Sequence, residues 1–115
     1  PAFLDDGAEA VAWVEGNIAD HGGDPARIAF MGHSAGAYQA VMLALDSKRL
    51  TAAGADPSKV KAAVGLSGPY DFYPFTSERA IDAMSQWPHP EETQPITFAR
   101  ADAPPLLLVT SDGDE

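Results

Sequence analysis

A serine between two glycines, Gly32-His33-Ser34-Ala35-Gly36, constrains this 115-residue chain more than any other feature. The apolar run Ile28-Ala29-Phe30-Met31 comes directly before it and an alanine-rich stretch comes directly after. The run reads as a buried strand, while Ala37, Ala40, Val41, Ala44 and Leu45 recur at the spacing of one helical face. A strand that turns at once into a helix leaves the turn residue strained and its neighbours nearly without side chains. Gly32 and Gly36 meet that need, and Ala35 is the next smallest choice. This is the build of a nucleophile elbow. It lifts the Ser34 hydroxyl clear of the sheet, at a helix N-terminus whose free N–H groups favour developing negative charge. The backbone N–H of Ala35 is then one oxyanion donor.

The remaining chain supplies the elements around that turn. Asp6-Gly7-Ala8-Glu9 has the spacing of a capping box, and Leu4, Ala8, Val11, Val14 and Ile18 mark a helical face that ends near Gly22-Gly23. Trp13 lies off that stripe and covers a flank. Asp24-Pro25 makes a turn in which Asp24 bonds local backbone. Strands are expected over Arg27 to Met31, Val60 to Leu66 and Leu106 to Thr110, with helices over Ala35 to Leu45 and Ser77 to Ser85. Ala80, Ile81 and Met84 share one side of the latter. Asp46 to Pro57 reads as irregular, with a short helical turn around Leu50 to Ala53. Trp87 to Pro95, holding Pro88, Pro90 and Pro95, reads as a loop.

Strands separated by helical patterns imply crossovers and a parallel sheet, hence the α/β class. Ligand sites in such sheets lie beyond the carboxyl ends of the strands. Ser34, Ser67 to Asp71 and Asp112 to Asp114 all follow strand ends, so three separate segments converge on one rim.

Composition narrows the partners. Seven basic residues against seventeen acidic ones give a net charge of −10, which argues against nucleic acid or an anionic membrane surface. No apolar run approaches the roughly 20 residues of a membrane helix. Without cysteine there is no disulfide, thiolate metal site or cysteine nucleophile. Compartment and oligomeric state stay open.

Gly22-Gly23-Asp24-Pro25, Arg27-Ile28 and Gly32-His33-Ser34-Ala35-Gly36-Ala37 together resemble the α/β-hydrolase superfamily. Within it they are similar to the carboxylesterase branch with hormone-sensitive-lipase-like and kynurenine-formamidase-like enzymes. The likeness continues through Gly68-Pro69-Tyr70-Asp71 and Pro104-Pro105-Leu106-Leu107-Leu108 to Gly113-Asp114. It implies a partial α/β-hydrolase fold, with three parallel strands of a larger sheet flanked by helices. It also implies that Ser34 is the nucleophile and Asp114 the triad acid. Asp112 competes for that role, and the spacing from Pro104-Pro105 favours Asp114.

The family order is serine, acid, histidine. His21, His33 and His89 all precede Asp114, with His33 expected to pack beside the elbow and His89 to be exposed. The loop carrying further oxyanion donors precedes the first helix in the family. The resemblance therefore implies that residues 1–115 are an internal fragment of one hydrolase domain, lacking the histidine and that loop. Alone, it should be nearly silent and poorly soluble. The implied reaction of the intact enzyme is hydrolysis of small acyl esters, with no metal or organic cofactor required. An arylformamidase, a peptidase or acyltransferase, and a non-catalytic binding scaffold are the alternatives. Tyr70, Phe72, Tyr73, Phe75 and Trp87 either wall an acyl or aryl pocket or pack on one another.

Overall fold

In the computed structural model, which describes residues 1–114, Ile28–His33 (β1), Val60–Leu66 (β2) and Leu106–Val109 (β3) form one parallel sheet ordered β1-β2-β3. Parallel neighbours require crossovers, and helices make them. Ala2–Asn17 (α1) precedes β1, Ala35–Leu45 (α2) and Ser47–Ala52 (α3) join β1 to β2, and Glu78–Met84 (α4) lies between β2 and β3. The α/β class expected from the sequence is therefore the observed one.

Register decides what each face carries. Phe30 pairs with Ala63 and Gly32 with Gly65, while Met31 pairs with Val64 and Val64 with Leu107. The first set faces α2. Small residues there let the helix approach: a Cβ on Gly65 would meet Val41 of α2 at 3.2 Å. One apolar cluster joins Ala8 and Val11 of α1 to Leu43, Leu50, Ala55 and Val60, with Phe30 against it. A second joins Leu4, Tyr38, Met42 and Met84. Since the sheet lies on one side of α2 and these elements on the others, α2 is buried nearly all round rather than along one stripe.

The opposite face is open. Met31 is 71% exposed, Leu107 58% and Val109 45%. Both outer strands, β1 and β3, also have an unpaired edge among the described residues.

Four local expectations need correction. The first helix begins at Ala2 behind Pro1 with no side-chain cap, so Asp6-Gly7-Ala8-Glu9 lies inside α1 and is not a capping box. Burial of Leu4 against Tyr38 and Met42 holds the preceding turn helical. The segment after Asp46 is more regular than expected. Leu50 is buried within α3, and Arg49 pairs with Asp5 of α1. The proline-rich loop instead contains two 3-10 turns, Pro90–Thr93 and Pro95–Phe98, each with proline in its first turn, where no backbone donor is needed. Ile81 is also more exposed than its helical stripe implied, at 42%, whereas Met84 is buried.

Other punctuation follows the sequence. Asp24 accepts from the Ala26 N–H at 2.9 Å and from Arg27 Nε at 2.8 Å, and these bonds hold its carboxyl below the usual range. Ser77 caps α4 by accepting from the Ala80 N–H at 3.2 Å. Arg100 Nε donates to the Leu45 carbonyl at 3.2 Å, satisfying the C-terminus of α2. No helix among the described residues is long and apolar enough to cross a membrane.

Candidate active site

Ser34 stands between the last residue of β1 and the first of α2 with φ 55° and ψ −119°, a conformation rare for a residue with a side chain. Such strain costs roughly 1–3 kcal/mol and persists where surrounding structure enforces it. Enforcement is visible on both sides. The Ser34 N–H donates to the Leu66 carbonyl at 2.9 Å, and its own carbonyl accepts from the Tyr38 N–H at 3.1 Å. The first bond ties the turn to the sheet and the second starts the helix. Ser34 is exposed, and Ala35 opens α2, where N–H groups have no partner within the helix.

The two glycines of the motif differ in role. A Cβ at Gly32 would sit 2.1 Å from the Gly36 carbonyl oxygen, which is backbone and cannot yield. A Cβ at Gly36 meets nothing within 4 Å. The steric demand anticipated for both therefore falls on Gly32 alone among the described residues.

A cleft of about 480 Å³ opens at the carboxyl ends of the strands. It is lined by Ser34 from the elbow, by Ser67, Gly68, Pro69, Tyr70, Asp71 and Phe72 after β2, and by Thr110 and Asp114 after β3. The structure thus brings Ser34 and Asp114 to one cleft. Asp112 is exposed in the preceding turn and outside that lining. Gly113 takes φ 83°, and the Asp114 N–H returns to the Ser111 carbonyl at 3.2 Å, which turns Asp114 back to the rim.

The Asp114 carboxylate accepts from Thr110 Oγ1 at 3.0 Å. Hydrogen bonds from Ser67 and then Thr110 hold its pKa below the ordinary carboxylate value, against a small opposing desolvation, with the nearby charge of His33 assisting. Ser67 carries φ 50°, and its N–H donates to the Val109 carbonyl at 2.7 Å. Each strand end at the rim is thereby stitched to the next. Sequence reasoning placed Ser67 on the rim but missed the contact of Thr110, which it read only as the end of a strand.

None of the three histidines lines this cleft. His33 is exposed on the open face of β1, not packed beside the elbow, because odd positions of that strand point away from α2. His21 ends a 3-10 turn against Trp13, and His89 is exposed beside Glu91. No cluster among the described residues is arranged to hold a metal.

The aromatic residues divide. Tyr70 and Phe72 line the cleft, while Phe72, Tyr73 and Phe75 also pack on one another. Phe72 meets Tyr38 edge to face at 5.7 Å, joining the cleft wall to α2. The Tyr70 hydroxyl is wedged against Gly65 and Gly68; burial raises its pKa, partly offset by the Gly68 backbone. Trp87 instead lies beside Glu92.

Comparison with known proteins sharpens this picture. The BD-FAE family model matches residues 1–115. The chain belongs to the BD-FAE family. That membership agrees with the α/β-hydrolase resemblance of its motifs. The chain is 31% identical to a Mycobacterium tuberculosis protein named esterase LipQ, over 99% of this chain and 31% of that protein. It is 30% identical to the probable carboxylic ester hydrolase LipM of the same organism, over 99% of this chain and 30% of that protein. Isoprenylcysteine alpha-carbonyl methylesterase ICME of Arabidopsis thaliana is 39% identical over 62% of this chain and 18% of its own length. The chain therefore spans about a third of the first two relatives. No solved structure matches it significantly.

Proposed function

We propose that the protein bearing this BD-FAE chain hydrolyses carboxylic esters of small acyl groups, with Ser34 as nucleophile and Asp114 as the acid of its triad. One observation carries the reading: a serine forced to positive φ at a strand-to-helix turn shares a cleft with a carboxylate delivered by the third strand. The relatives' names support the ester class.

Ser34 Oγ attacks the ester carbonyl carbon while a histidine accepts its proton. The resulting oxyanion meets the Ala35 N–H at the head of α2. Collapse expels the alcohol, which takes the proton back from the imidazolium, and water then releases the acyl group by the same steps. Asp114 orients the imidazole and balances its charge. Its hydrogen bond from Thr110 Oγ1 favours the charged form of the carboxylate. The histidine and the remaining oxyanion donors come from other parts of a larger hydrolase domain, a reading supported by the roughly one-third coverage of LipQ and LipM.

Hydrolysis of p-nitrophenyl acetate and butyrate by the full-length protein tests this. Ser34→Ala is expected to lower kcat by about 10⁴- to 10⁶-fold, and Asp114→Asn by about 10⁴-fold. Asp112→Asn should leave it within about threefold, as for a surface change. Activity surviving Ser34→Ala, or lost in Asp112→Asn with Asp114→Asn active, contradicts the assignment.

A further inference from the structure

The segment that follows α4 buries two polar side chains, Thr93 at 0% and Gln94 at 2% exposure, in a position where an apolar pair would pack without any need for partners. Burying an amide without hydrogen bonds costs several kcal/mol, so the use made of each atom is informative. Gln94 Oε1 accepts from the backbone N–H of Phe72 at 2.6 Å, and Gln94 Nε2 donates to Thr93 Oγ1 at 2.8 Å. Thr93 Oγ1 in turn donates to the Pro90 carbonyl at 2.6 Å. On one side the Tyr38 hydroxyl donates to the Thr93 carbonyl at 2.7 Å; on the other the Ile96 N–H donates to the Tyr70 carbonyl at 3.1 Å.

These bonds form a continuous strut. It starts at the elbow, where the Tyr38 N–H bonds Ser34, passes through the Tyr38 side chain to Thr93 and Gln94, and ends on the backbone of Phe72, while the Ile96 N–H two residues on holds Tyr70. Tyr70 and Phe72 are the apolar wall of the cleft that holds Ser34. The Phe72 half of that wall is therefore bonded to a buried side chain that is not itself part of the cleft lining.

We propose that Gln94, braced by Thr93, is a positioning residue that fixes the Tyr70–Phe72 wall relative to Ser34 and so sets which ester groups fit the cleft. This rests on reading the cleft as the ester site. Loss of the strut frees the wall without moving the elbow, whose own bonds to Leu66 and along α2 are independent of Gln94.

The test uses the full-length protein with Gln94→Ala and Thr93→Val, the second removing the brace for the amide together with the Thr93 bond to the Pro90 carbonyl and serving if the first does not fold. Steady-state kinetics on p-nitrophenyl acetate and p-nitrophenyl hexanoate is paired with hydrogen exchange at the Phe72 amide. The expected result is a KM for hexanoate raised about tenfold in Gln94→Ala and less in Thr93→Val, with kcat for both esters within about threefold of wild type. Phe72 exchange should accelerate about tenfold or more, as an amide does on losing its acceptor. Unchanged hexanoate KM in a folded variant overturns the proposal, as does an equal fall in kcat for both esters. If the wild-type protein hydrolyses neither ester, the ester reading fails on its own, and Phe72 exchange still decides whether Gln94 holds the wall.

Discussion

The backbone N–H of Ser34 donates to the carbonyl of Leu66 at 2.9 Å, so the hydrogen-bond ladder between β1 and β2 runs up to the elbow residue itself. The strained turn is therefore anchored by the sheet rather than suspended from it. The Ser34 backbone is thereby held beside Ser67, which follows Leu66 and lines the same cleft as Asp114. That coupling makes the geometry of the rim sensitive to single atoms.

The two motif glycines should separate sharply. Gly32→Ala drives a Cβ into the Gly36 carbonyl and should destabilise the protein by about 3 kcal/mol or more, at the upper end of overpacking costs. Gly36→Ala enters open space inside a helix and should be neutral or gain up to about 1 kcal/mol. Chemical denaturation of the two variants measures the difference.

Asp114 should titrate below the ordinary carboxylate value, and Thr110→Val should raise its pKa, because Thr110 Oγ1 donates to the carboxylate at 3.0 Å. Carboxyl carbon NMR reads this directly. The sign for stability follows from the depressed folded value. The contribution is complete above the unfolded pKa near 4 and is lost as pH falls through the folded pKa.

Burial pushes the Tyr38 pKa up to about 12. A raised folded value means that the neutral phenol stabilises the folded state fully below about pH 10, with loss as pH rises from 10 towards 12. The melting temperature should fall over that window. Tyr38→Phe should flatten this dependence. It should also lower stability at neutral pH by about 1–3 kcal/mol, since the Thr93 carbonyl loses its buried donor.

The bare face of the sheet governs how the polypeptide 1–115 behaves when expressed alone. Met31, Leu107 and Val109 stand exposed on one apolar surface beside two strand edges that are unpaired among the described residues, and such surfaces self-associate. Light scattering should show aggregates. Met31→Glu with Leu107→Glu should reduce them, whereas a monodisperse wild-type monomer would contradict the expectation.

Much of this architecture is written in local pattern. The apolar run before Ser34 and the 3.6-residue spacing after it specify strand and helix, and the turn chemistry of Asp24-Pro25 and Gly113 specifies where the chain reverses. Three strand ends on one rim follow from that alternation alone. What stayed hidden depends on tertiary contact. Burial of Leu4 overrode the cap signal at Asp6, and proline in a first helical turn made 3-10 turns out of a loop. The outward placement of His33 depended on which face of β1 met α2. Nothing periodic singles out Gln94, whose partners lie 22 residues away and next door. Thr110 gave no signal beyond its β-branched side chain, yet it supplies a bond to Asp114.

The central claim is that the Ser34 hydroxyl is a nucleophile. Incubation of the full-length protein with a fluorophosphonate, followed by intact mass and peptide mapping, measures it most directly. One adduct per chain on Ser34, absent from Ser34→Ala and slowed strongly in Asp114→Asn, is the expected result. A folded protein with its triad histidine in place that leaves Ser34 unmodified would contradict the claim.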